Sequence, residues 1–180
     1  MSGPPGGSRV LSATQVARIC DVDTKTIHNW VSRGKIACWR TAGRHLRFRR
    51  IDVVDFLRDY GFEIPEALRQ ARPRVVAVEA DAQGLGAMQR ALSKRFEVLA
   101  HEHVVTALLA LPASDADVLV LGDVSPLDAD TVAVGVRSLD STRHLRIVTL
   151  GIETPGAAAW VRHGALTALK EALERVTGLE

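Results

Sequence analysis

What the sequence lacks narrows its function first. No apolar run approaches the roughly 20 residues that a helix needs to cross a bilayer, and no signal-peptide pattern opens the chain. A cytoplasmic protein without a membrane partner is therefore expected. Cys20 and Cys38 are the only cysteines, and no second pair of ligands stands at zinc spacing. They read as small buried hydrophobes of a reduced compartment. With no nucleophile–base pair and no complete metal site in view, the sequence predicts no enzyme, no cofactor and no metal. No heptad is sustained long enough for a coiled coil. Disorder is excluded as well, because 47% of the 180 residues are hydrophobic, enough for one medium domain or two small ones. Residues 1–9, beginning MSGPPGGS, read as a flexible tail.

The most informative absence is acid. Between Asp23 and Asp52 there is none, while Lys25, Arg33, Lys35, Arg40, Arg44, Arg47, Arg49 and Arg50 fall in that interval. Residues 1–72 carry thirteen Lys or Arg against seven Asp or Glu, and the remainder ten against fourteen. The net charge of +2 thus conceals +6 and −4. An acid-free basic block in a mixed sequence is the electrostatic footprint of a polyanion site.

Aromatics are also scarce and unevenly placed. Six of the eight precede Glu66, and the later sequence is rich in Ala, Val and Leu. Pro73 disfavours helix at Arg72, which sets a boundary there. The organisation expected is a tail at 1–9, a domain at 10–62, a connecting helix or linker at 63–73 entered through Pro65, and a second domain at 74–180.

In the first domain Ser12 is a good helix N-cap, followed by Val16, Ala17, Ile19 and Cys20 at helical spacing. Asp21-Val-Asp23 breaks that helix and Thr24 is expected to cap a second. Ile27, Trp30 and Val31 form its apolar stripe, leaving Lys25, Thr26, His28, Asn29 and Arg33 on the remaining faces, and Gly34 ends it. Ile36–Arg40 and Leu46–Phe48 read as a two-stranded hairpin, with Gly43 supplying the positive φ of its loop. Asp52 is expected to cap a third helix that packs Val53, Val54, Phe56 and Leu57 inward. Helix, helix, hairpin, helix is a small winged helix-turn-helix.

At these residues the chain resembles the MerR-like, excisionase-type DNA-binding domains, including the BldC-like regulators. In that family a T-P-G-G-H-R-R-F wing follows a helix of the form T-[IV]-x-x-W-x-x-x-G. Thr26-Ile27, Trp30 and Gly34 match the helix; Thr41, Gly43, His45, Arg47 and Phe48 match the wing. Ala42 replaces the usual proline, Arg44 the second glycine and Leu46 an arginine. The resemblance implies that the second helix enters the major groove of double-stranded DNA while the wing tracks the backbone or the adjacent minor groove.

The residue chemistry agrees. Asn29 has the fork suited to adenine, and Arg33 suits guanine or phosphate. Arg40, Arg44, Arg47, Arg49 and Arg50 are expected mainly at phosphates, with Arg44 as the minor-groove probe. With Thr24, Lys25, Thr26, His28, Lys35 and His45 they complete the expected DNA-binding set. Arg49 and Arg50 read equally as a solvated lead-in to the third helix, His28 as a surface residue, and His45 as a brace for its own turn. Trp30, Trp39 and Phe48 read as core.

From Arg74 onward, strand-like runs at Val75–Val78, Phe96–Leu99, Val118–Leu121 and Ile147–Leu150 alternate with amphipathic stretches. Helix stripes are carried by Leu85, Met88, Ala91 and Leu92, by Val104, Val105, Leu108 and Leu109, and more weakly by Val132, Val134, Val136 and Leu139. A fourth helix is expected around Trp160 and Val161. The pattern argues for an α/β domain with a parallel sheet covered on both faces.

This alternation resembles the receiver domain of response regulators, of flavodoxin-like topology, and the resemblance implies a set of working residues. The two adjacent acids expected after the first strand are here Glu79-Ala-Asp81. The phospho-acceptor position, four residues before Pro126, is Gly122, with Asp123 one place late as a weak candidate. The hydroxyl position is displaced, since Leu150 follows Thr149. Lys170 is a doubtful match for the closing lysine, and the fifth strand reads as short or absent. A one-residue slip aims a carboxylate nucleophile elsewhere. The domain therefore reads as a pseudo-receiver without phosphorylation chemistry. Gly84-Leu-Gly86 holds only two of the three glycines of a dinucleotide loop and reads as a helix start.

The functional expectation is a DNA-binding transcriptional regulator or nucleoid-associated factor, homodimeric through its C-terminal domain, which is also open to a protein partner. Two alternatives are a ligand- or phosphate-responsive switch and an adaptor that docks partners through its acidic half.

Overall fold

Ser12 ends a strand and opens a helix at once, and the first unit of the computed structural model is organised around that junction. The structure describes residues 10–41, 43–69 and 72–179, which fall into two compact units divided between residues 71 and 72. The expected tail at 1–9, Ala42 in the hairpin loop and the last turn of the connecting helix at 70–71 lie outside the described residues.

The first unit runs β1 (Val10–Ser12), α1 (Ala13–Ile19), α2 (Thr24–Ser32), β2 (Trp39–Arg40), β3 (Leu46–Arg49), α3 (Arg50–Asp59) and α4 (Glu66–Arg69). The strands form an antiparallel sheet in the order β1-β3-β2, with Leu11 opposite Phe48 and Trp39 opposite Arg47. Strand β1 was not expected. Three residues are too few for a period-two signal, and its pairing with β3 spans more than thirty positions. Ser12 does cap α1. Its hydroxyl accepts from Gln15 N–H at 3.3 Å while the Gln15 amide oxygen accepts from Ser12 N–H at 2.8 Å, a reciprocal capping box.

Two cap expectations are corrected. The N-cap of α2 is Asp23, not Thr24: Asp23 Oδ1 accepts from Thr26 N–H at 2.6 Å. Both residue types suit the position, and the Asp23 carboxylate reaches the third N–H of the helix from one residue earlier. Helix α3 likewise begins at Arg50, two residues before Asp52. Asp52 sits in its first turn, 4.0 Å from the Arg49 guanidinium. The core gathers Leu11, Val16, Ile27, Leu46, Phe48, Val53, Phe56, Leu57 and Leu68.

The second unit runs β4 (Arg74–Val78), α5 (Ala82–Leu92), β5 (Glu97–His101), α6 (Val104–Ala110), β6 (Val118–Leu121), α7 (Ala129–Ser138), β7 (Arg146–Leu150), β8 (Ala159–Val161) and α8 (Leu166–Thr177). All five strands are parallel, in the order β5-β4-β6-β7-β8. Alternation within each strand divides the core in two. Val76, Val78, Leu119, Leu121 and Ile147 meet α6 and α7, whereas Val75, Ala77, Val118, Val120 and Val148 meet α5 and α8.

Trp160 and Val161 are not helical, contrary to expectation. They form the fifth strand, β8, paired with Thr149 and Leu150. Val161 is buried and Trp160 is 52% exposed, the period-two habit of an edge strand, but three residues carry too little pattern to read. Residues 151–158, between β7 and β8, contain no helix. That loop is held instead by Arg137 of α7, which donates to the carbonyls of Pro155, at 3.1 Å, and Gly156.

Candidate nucleic-acid interface

Helix α2 shows opposite characters on its two sides. Ile27 is fully buried, and Trp30 and Val31 are half-buried. Trp30 packs against Phe56 and Phe62, with ring centroids 5.1 and 5.9 Å away. Lys25, His28, Asn29 and Arg33 are exposed with Thr24, while Thr26 is half-buried and donates its N–H to the cap. The outward face therefore combines two fixed cations, an imidazole and a carboxamide, and no acid. Gly34 follows with φ of +68°, its N–H donating to Val31 O, and turns the chain away. Lys35 is exposed too, its ammonium 4.9 Å from the centre of the Tyr60 ring.

The hairpin presents its arginines unequally. Thr41 and His45 close the loop through Thr41 N–H to His45 O at 3.0 Å, and Arg44 N–H donates to Thr41 O at 2.7 Å. Its positive φ falls on Arg44, at +60°, and not on Gly43 as expected. Gly43 serves close approach instead: a Cβ there would stand 3.2 Å from the His45 ring. Arg44 and His45 are exposed at the tip. Arg40 is exposed but donates to Arg44 O at 2.9 Å, so it braces the tip. Arg47 is half-buried and donates to Leu46 O at 3.0 Å. Arg49 lies over the Trp39 ring, 4.9 Å from its centre.

Arg50 contradicts its assignment. It is 1% exposed, and its Nη1 donates to Leu68 O at 2.9 Å, joining the start of α3 to α4. A guanidinium enclosed in the core faces no phosphate. The long stem and planar head suit this bridge, and nothing in the local pattern separates Arg50 from the exposed arginines before it. Trp30, Trp39 and Phe48 are buried or half-buried, as expected of core.

At the C-terminal ends of the second unit's strands, Glu79 is held by two backbone N–H groups and a histidine. Glu79 is 2% exposed. Its Oε1 accepts from Asp81 N–H at 3.1 Å, and Oε2 accepts from Asp123 N–H at 3.3 Å and meets His163 Nε2 at 2.8 Å. A Cβ on Gly122 would stand 2.2 Å from Oε2, so the Glu79 carboxylate occupies the space of a side chain at that position. Asp123 is exposed and turned onto its own loop, its Oδ1 accepting from Ser125 Oγ at 2.6 Å and from Ser125 N–H at 2.9 Å. The Ser125 hydroxyl first, then its amide, holds the Asp123 carboxyl below the usual range.

Thr149 is buried and donates its hydroxyl to Ile152 O at 2.6 Å. Lys170 lies within α8, 3.9 Å from Glu174. The side chain that reaches the site from beyond the end of β8 is that of His163, which no motif marked; the signal available was a histidine two places beyond a strand that was itself read as helix. Among the described residues no cluster of His, Cys, Asp and Glu has the makings of a metal site, and no helix is long and apolar enough to cross a membrane. Cys20 and Cys38 are free, and burial pushes the Cys20 thiol up to about 11.

Residues 10–60 match the family model described as a helix-turn-helix domain. No curated protein matches the chain. Among solved structures, the chain is similar to the chemotaxis response regulator CheY4 of Vibrio cholerae, at 18% identity and TM-score 0.54 over 59% of this chain and 99% of that one. A sensor protein from Polaromonas sp. JS666 matches at 18% and 0.54, over 61% and 99% of the two chains. A response regulator from Thermotoga maritima matches at 16% and 0.52, over 59% and 98%. Residues 10–60 are thus a helix-turn-helix domain, and the five-stranded unit that follows has the flavodoxin-like fold of response-regulator receivers.

Proposed function

We propose that the protein is a DNA-binding transcriptional regulator or nucleoid-associated factor of the MerR-like, excisionase-type group, acting in the cytoplasm. Helix α2 enters the major groove and the β2–β3 hairpin serves as the wing. The observation that carries this reading is the exposed face of α2, where Lys25, His28, Asn29 and Arg33 stand together with no acid while Ile27 and Trp30 anchor the opposite side. Asn29 and Arg33 read bases; Lys25, Lys35, Arg44 and the exposed part of Arg47 neutralise phosphates.

The second unit acts as a receiver-like module without phosphorylation, pairing two chains so that two weak heads bind as one. Support comes from Gly122 at the acceptor position and from the Glu79 carboxylate over it. Titration of a labelled duplex at several salt concentrations tests the DNA reading. With about four phosphates neutralised per head, log affinity should fall with log salt at a slope of about −4 per head. Salt-independent binding, or none, removes the reading.

A further inference from the structure

Seven large hydrophobic side chains of the second unit are well exposed, and five of them, Val105, Leu109, Leu127, Val134 and Leu139, belong to one side of the sheet, on or beside α6 and α7. Val134 is 68% exposed and Leu109 79%. Helices α6 and α7 lie on the same sheet face and share one core. Their outward surface is nearly free of charge. No Asp, Glu, Lys or Arg occurs from Val104 to Ser114, and α7 holds only Asp130 in its first turn and Arg137 in its last. In a chain that is 24% charged, two adjacent helices with such a surface are built to meet another apolar surface. Between them runs a groove of about 400 Å³, lined by Leu108, Leu111, Leu127 and Leu139.

We propose that this face binds a second copy of the chain, α7 crossing α7 antiparallel about a two-fold axis beside Val134 and Gly135. The charges on the helix choose this occupant and this direction. Asp128 and Asp130 stand at its N-terminal end and Arg137 at its C-terminal end. A parallel pairing sets acid beside acid, whereas the two-fold sets each acidic end towards the other copy's basic C-terminal end, where Arg137 keeps its charge while bonded to the neutral Pro155 and Gly156 carbonyls, and opposes the two helix dipoles. The backbone permits close crossing, since Gly135 is exposed and a Cβ there would meet nothing within 4 Å. Each copy carries both projecting side chains, Val134 and Leu109, and a recess to receive them, which is the condition for a self-complementary interface. This rests on the pairing role given to the second unit above and names the surface that performs it.

Sedimentation of the full-length chain and of single variants tests it. Wild type is expected at twice the chain mass, and Val134→Asp at the mass of one chain with an unchanged circular-dichroism spectrum. Val134→Cys, placed beside the axis, is expected to cross-link to itself with a short bis-maleimide, while Trp160→Cys on the β8 edge is not. Gly135→Leu, which fills the crossing point, should raise the dimer dissociation constant at least tenfold. A monomeric wild type overturns both the pairing role and this face. A dimer that survives Val134→Asp, or that cross-links through Trp160→Cys instead, overturns the face alone and leaves pairing standing.

Discussion

The carboxylate of Glu79 fills the place where residue 122 would carry a side chain: a Cβ on Gly122 would lie 2.2 Å from Glu79 Oε2. Glu79 is kept there by His163 and by the N–H groups of Asp81 and Asp123, so its carboxyl group already fills the end of the sheet. Gly122→Asp should therefore destabilise the unit by about 1–3 kcal/mol through overpacking. Adding Glu79→Ala should recover most of that loss. The measurement is a urea-denaturation double-mutant cycle, and additive effects would show that the two positions do not compete for space.

Incubation of the wild type with a small phosphodonor and magnesium should leave its intact mass unchanged. Asp123 is the exposed carboxylate nearest the expected acceptor, and its Oδ1 is engaged by Ser125. A stable single phosphate on Asp123 would reverse the reading of this unit and favour a phosphate-responsive switch.

For the hairpin, Arg44→Ala with Arg47→Ala should weaken duplex binding and reduce the magnitude of the salt slope by about 2, one for each lost phosphate contact. Folding stability should change little by comparison. Unaltered affinity and slope, measured by fluorescence anisotropy, would remove the wing assignment.

Arg50 should behave in the opposite way. Arg50→Ala opens a cavity and strips Leu68 O of its donor, so a loss of about 2–4 kcal/mol is expected in denaturant unfolding. Arg50→Met, which keeps the stem, should lose less. Wherever the Met variant folds, its DNA salt slope should equal that of wild type, because the guanidinium never faced phosphate.

Acid should loosen α2 through its cap. The Thr26 N–H holds the Asp23 carboxyl below its ordinary value. A depressed carboxyl contributes stability that is complete above the ordinary carboxylate pKa and is lost as pH falls through the folded one. Stability should thus decline at acidic pH, and Asp23→Ser, a cap that does not titrate there, should flatten part of that decline. Denaturation midpoints across the acid range give the comparison.

Helices α1 to α3 and α5 to α7 were legible because their apolar stripes are long enough to repeat, as with Ile27, Trp30 and Val31 in α2 or Leu85, Met88 and Leu92 in α5, whereas the helix expected around Trp160 and Val161 is a strand and α8 follows it. Four of the five parallel strands were legible as bounded runs of Val, Leu and Ile. What escaped was short or non-local. Strands β1 and β8 have three residues each, and their identity comes from partners distant in sequence or across an irregular loop. The buried Arg50 escaped because charge carries no local mark of enclosure; only Leu68, eighteen residues later, reveals it. Nothing in the pattern around Gly122 marks that Glu79, more than forty residues earlier, reaches across to the space beside it.

Arg44 joins two demands that oppose each other. A left-handed backbone at a non-glycine residue costs on the order of 1 kcal/mol, and glycine there would relax it. Arg44→Gly is thus a substitution that should make the fold more robust and the protein a poorer DNA binder. Selection for thermal endurance alone would discard this arginine, whereas selection for grip on a polyanion would keep it, so the residue found at this one tip position reports which pressure has acted on the chain.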